Sequence, residues 1–166
     1  MLIVLYFFWR VCLLRHNPEI VPKHPYFLFL VLMANLACSI TVSTIISGEP
    51  ALRIATGVLV SVATLAYLVY LMCSLRGASD RFVWTMSVLL GCDMVLTAIF
   101  AVIVPLAQML NEVAVIAAYA TFMVWSVAVF GFILSRSLKS HMAIGVGLAF
   151  SMMLISTGLA SLASGG

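Results

Sequence analysis

Phe82–Ala107, FVWTMSVLLGCDMVLTAIFAVIVPLA, is the stretch on which the fold turns. It holds one charged residue, Asp93, near its middle, and is otherwise apolar or weakly polar. At about 1.5 Å of rise per residue, a helix of this length exceeds the roughly 30 Å hydrocarbon core of a bilayer. A membrane-spanning helix is the reading that follows.

Four more apolar runs lie around it, at Tyr26–Ser47, Leu52–Leu75, Val113–Ser135 and Met142–Ala163. Each is long enough to span with some tilt. The breaks between them are short and polar: Gly48-Glu49-Pro50, Arg76 to Arg81, Gln108 to Glu112, and Ser135 to His141 with Arg136 and Lys139. Such breaks make successive spans antiparallel hairpins. The expected fold is an all-α, polytopic bundle of five transmembrane helices in one domain, residues 26–166. Composition agrees, with 65% hydrophobic and 8% charged residues among 166. Ordinary soluble domains are nearer 45–50% apolar and about 25% charged.

Residues 1–25 form a second region. MLIVLYFFWRVCLLRH, residues 1–16, is short for a span and is broken by Arg10. Its arginines come late and no small-residue cleavage site follows, which argues against a signal peptide. An interfacial helix is expected, with Tyr6 and Trp9 at headgroup level and Arg10 and Arg15 reaching toward lipid phosphates; a tilted extra span is the alternative. The connector Asn17–Pro25 contains Pro18, Pro22 and Pro25, which remove backbone donors and belong at the surface.

The net charge of +3 comes from loops rather than from a basic patch with interleaved aromatics, so nucleic acid is not an expected partner. Arg10, Arg15, Lys23, Arg76, Arg81, Arg136 and Lys139 fall on one side of the five-span arrangement and Arg53 on the other. Basic residues in short loops are retained in the cytoplasm. The expected setting is a bacterial inner membrane, with a cytoplasmic N-terminus and the C-terminus on the periplasmic side.

Few residues carry chemistry. Cys12, Cys38, Cys73 and Cys92 are scattered, and His16, His24 and His141 lack metal-ligand spacing, so no metal or cofactor is expected. Nucleophile triads, zinc-protease motifs and phosphate loops are absent. Tyr67, Tyr70, Trp84 and Trp125 read as belt or packing residues. Asp93 stands apart: an ionised carboxylate at mid-span costs roughly 2.5–3.5 kcal/mol on insertion scales, so it must face the bundle interior or be neutral. Asn35, about nine residues into the first span, lies within roughly 3 Å of the same depth by the helical rise. Thr97 is one turn beyond Asp93 on the same face. Asp93, Asn35 and Thr97 are therefore the candidate polar site. Small residues four apart, Gly57 with Ser61, Ala114 with Ala118, and Ser156 with Ala160 and Ser164, are candidate helix-packing positions, within the monomer or between copies.

Leu75 to Gly147, a little under half of the chain, resembles the Yip family, small membrane proteins named for interaction with Rab/Ypt GTPases. A short loop with Gly77 leads into Phe82, the third span ends near Pro105, and Trp125-Ser126 precedes Gly131, Leu134, Arg136, Leu138-Lys139 and Ala143-Ile144-Gly145. The resemblance implies five spans, a cytoplasmic N-terminus and an outward C-terminus. It is to the bacterial type, since the acidic and Gly/Tyr motifs of the eukaryotic first two spans are not found here.

Two functions are weighed. A non-enzymatic scaffold, assembly or trafficking-type factor, bound to a membrane-protein partner or to itself, accords with tiny loops and one intramembrane charge. A small proton-coupled transporter or channel would use Asp93 as its titrating group and would need a cavity reaching it. An intramembrane enzyme would need a second polar cluster beside Asp93.

Overall fold

A computed structural model describes residues 2–12, 24–48 and 50–163. Its helices are α1 Leu2–Cys12, α2 Pro25–Ser47, α3 Ala51–Leu75, α4 Phe82–Gln108, α5 Glu112–Ser137 and α6 Met142–Ala163, with a short 3-10 turn at Ser79–Arg81 before α4. Helices α2 to α6 are long and apolar enough to cross a membrane, and the protein is an integral membrane helix bundle. Most of the connector (Asn17 to Lys23), Arg15, His16, Glu49, Ser164 and the side chain of Tyr6 lie outside the described residues.

The helix ends follow from local chemistry. Pro25 opens α2, where its missing N–H costs nothing. Gly48, at φ 66°, closes the same helix with its N–H on the Thr44 carbonyl, 3.1 Å away. Asn111 caps α5, its Oδ1 accepting the Ala114 N–H at 2.7 Å. Helices α3 and α5 end in the same double closure. Gly77 and Ala78 donate to Ser74 and Cys73 (3.0 and 2.8 Å), and Lys139 and Ser140 donate to Arg136 and Ser135 (3.4 and 2.9 Å). The left-handed residue is Gly77 (φ 63°) in one and Lys139 (φ 49°) in the other. A residue with a β-carbon costs on the order of 1–3 kcal/mol there.

Side-chain hydroxyls along the spans bond back to their own helix, as Thr41 does to Ala37 and Thr44 to Ile40, both at 2.7 Å. They can therefore face lipid without leaving a donor unpaired.

Helix α4 forms the centre. It packs against α1, α2, α3 and α5; α5 packs on α6, α6 on α3, and α3 on α2. Half of the apolar stretch of α4 is buried, against 11–22% of each other span. Val88, Leu89, Leu90 and Cys92 are fully enclosed, with Val69 of α3 and Val129 and Ile133 of α5 around them. Helices α5 and α6 approach closely at a pair of glycines. A β-carbon on Gly145 would meet the Gly131 carbonyl and Ser135, and one on Gly131 would meet the backbone of Val146.

The described part of the N-terminal segment sits beside the middle of α4. Phe8, Val11 and Cys12 are buried, Phe8 fills the notch left by the absent side chain of Gly91, and Cys12 Sγ lies 3.8 Å from the Cys92 carbonyl. Gly91 is nine residues past the start of α4, about 14 Å along its axis. Among the described residues of this segment, Phe8, Val11 and Cys12 face α4 while Trp9 and Arg10 stay exposed, and the missing β-carbon at Gly91 makes room for the Phe8 ring.

Because the spans alternate in direction, Arg76, Arg81, Arg136 and Lys139 gather at one end of the bundle and Arg53 at the other. At this basic end Arg81 donates from Nη1 to the Ser137 carbonyl (3.1 Å), and the Thr85 and Ser137 hydroxyls are 2.7 Å apart. These bonds tie the start of α4 to the end of α5.

Candidate functional site

Asp93 lies eleven residues into α4, about 16 Å from its basic end. Helix α2 runs parallel to α4 against it, and brings Asn35, ten residues past Pro25, to the same depth. Asn35 is fully buried. Its Nδ2 donates to Asp93 Oδ2 at 2.9 Å and to the Leu90 carbonyl at 3.1 Å. Its Oδ1 is buried with no hydrogen-bond partner. The pairing expected from depth alone is thus made, and Asn35 is more firmly held than one bond would hold it. Thr97, one turn farther along α4, is half-buried and is not among the residues lining the cavity beside Asp93.

Asp93 borders a partly open cavity of about 170 Å³ between α3, α4, α5 and α6. Its polar lining comes from four helices: Ser61 of α3, Asp93 of α4, Ser126 of α5, and Ser156 and Thr157 of α6. Leu65, Leu90, Phe122 and Met153 complete the wall. The Ser156 hydroxyl donates to the Met153 carbonyl at 3.1 Å. Ser126 is 6% exposed, and its hydroxyl has no partner. A buried hydroxyl and a carboxylate beside a space of this size are what a water-filled or ligand-filled cavity needs, since water requires room and two or more polar neighbours.

The sequence reading assigned Ser61 and Ser156 to helix packing; both line the Asp93 cavity. Ser126, named above only as part of the family resemblance, and Thr157 are further members that their spacing does not mark. A signal was available in the depths. Counted from the basic end, Asn35 is ten residues in, Asp93 and Ser126 eleven, Ser61 and Ser156 fourteen, and Thr157 fifteen. Gly57 and Ala160 are half-buried on α3 and α6. Ala114 and Ala118 line an apolar groove of about 650 Å³ between α4 and α5, walled also by Trp9, Phe100, Leu106 and Trp125. The close helix contact falls instead at Gly131 and Gly145.

Among the described residues, no three His, Cys, Asp or Glu side chains come together as metal ligands. Comparison with family models, curated proteins and solved structures finds no significant match to this chain.

Proposed function

We propose that the protein is a small proton-coupled transporter or channel in which Asp93 takes up and releases a proton inside the bundle. One observation carries this reading: a mid-span carboxylate, held on one side by Asn35, faces a cavity lined by hydroxyls from three other helices. Intramembrane carboxylates facing such cavities mark ion and proton pathways. The chemistry is simple. A neutral Asp93 has an O–H to donate, and water in the cavity would accept it. An ionised Asp93 keeps the Asn35 N–H, and water in the cavity, which the Ser126 hydroxyl also lines, would supply further donors.

The test is proton flux in proteoliposomes loaded with a pH-sensitive dye, under an imposed gradient. The wild type is expected to dissipate the gradient and Asp93→Asn to lose that activity while keeping its helicity and melting temperature. Equal flux in the two proteins would remove Asp93 from any pathway.

A scaffold or assembly role of the Yip type is the second reading, and the groove lined by Ala114 and Ala118 favours it. That groove offers an apolar face to a partner helix or a second copy. Neither reading is enzymatic. For both, the proposed setting is a bacterial inner membrane, with the basic end in the cytoplasm. An impermeant thiol reagent should then reach Leu110→Cys from outside intact cells and Ala78→Cys only after lysis; the reverse pattern would invert the orientation.

A further inference from the structure

We propose that the basic end of the bundle holds a phosphate-binding site centred on Lys139, suited to the headgroup of an anionic lipid. Three clefts meet there, and Lys139 lines all of them. It shares one of about 420 Å³ with Arg76, Ser140 and His141, one of about 460 Å³ with Arg136, Ser135 and His141, and one of about 530 Å³ with Arg76 and Arg81. The cations come from the ends of three helices and converge. Orientation by positive charge explains how many basic residues lie at this end, but does not require them to surround common clefts. Asp80, in the third cleft, is the one acidic side chain at this end among the described residues. The Ser140 hydroxyl is buried with no partner.

The backbone adds an independent pointer. Helices α3 and α5 close alike, but where α3 has Gly77, α5 puts Lys139 into the left-handed conformation. Glycine would be the lower-energy residue there. Lys139 at that position instead lines the clefts on both the Arg76 and the Arg136 sides of the end face. Basic pockets between spans on the cytoplasmic side are suited to lipid phosphates, and each basic side chain near such a surface is worth about fivefold in affinity.

The experiment measures the melting temperature of the detergent-solubilised full chain with added short-chain phosphatidylglycerol, short-chain phosphatidylcholine or inorganic phosphate. Phosphatidylglycerol is expected to raise it, with apparent affinity about fivefold weaker in Lys139→Gly and Arg76→Ala and unchanged in Arg53→Ala. Lys139→Gly relieves the backbone, so its lipid-free melting temperature should hold or rise; loss of the lipid response then cannot come from misfolding. A response to inorganic phosphate alone, lost in the same variants, would keep the site and assign it a soluble phosphate ligand. No response to either anion, an equal response to phosphatidylcholine, an undiminished response in Lys139→Gly, or an equal loss in Arg53→Ala would overturn the proposal.

Discussion

Gly145 shows how much a single atom decides in this bundle. Its α-carbon sits against the Gly131 carbonyl and Ser135, where a methyl group has no space. The obstacles are backbone and a short side chain, which cannot swing away, so α5 and α6 would have to separate. Gly145→Ala is expected to destabilise the protein by about 1–3 kcal/mol, read as a lower midpoint in detergent-mediated unfolding. An unchanged midpoint would mean the two helices are not this close. Asn35 is decisive in another way. Hydrogen bonds between membrane helices average only about 0.6 kcal/mol. Its two donations therefore set the position of Asp93 more than they hold α2 to α4. Asp93 and Asn35 were legible as a pair because both are rare in spans and helical rise gives their depth. The hydroxyls facing them were not. Serine and threonine are common in membrane helices and usually bond their own backbone, as Thr41 and Thr44 do here. The reading of Ser61 and Ser156 as small packing residues used the size of the side chain and passed over its oxygen.

At the level of elements, the sequence determines the spans well and their arrangement poorly. Expected boundaries agree with α2 to α6 to within two residues at each end, because Gly48, the Arg76–Arg81 turn, Asn111 and the Lys139 turn are polar interruptions in apolar runs. Nothing in the runs marks α4 as the central helix. In lipid the outward faces are as apolar as the inward ones, so the amphipathic stripe that orients a soluble helix is missing. The place of α1 was hidden for a related reason. Its seat pairs Phe8 with Gly91, 83 residues farther along the sequence. Gly91→Ala would push against the Phe8 ring. The ring belongs to a short peripheral helix, so α1 should lift while the five spans persist. Cys12, buried in the native protein, is then expected to react with maleimide markedly faster in Gly91→Ala, with little change in the melting temperature of the bundle. Slow labelling in both proteins would show that α1 is held by other contacts.

For the molecule as a whole, two ends and a middle divide the work. The loops are too short to form a domain, so chemistry is confined to the side chains that the spans carry inward and to the charges at their ends. The basic end collects Arg76, Arg81, Arg136 and Lys139 around shared clefts. The middle collects Asp93, Asn35 and three serines within a few residues of one depth, which is more polarity than a closed apolar bundle needs. That coincidence of depth is the basis for reading Asp93 as a group that exchanges a proton rather than a packing contact. The most direct test is infrared difference spectroscopy of the protein in bilayers, wild type minus Asp93→Asn, across a pH series. A carboxylic-acid carbonyl band belonging to Asp93 is expected at low pH, fading as the pH is raised and returning when it is lowered. A band that is absent, or that stays constant across the whole series, would contradict the claim that the buried carboxyl communicates with water.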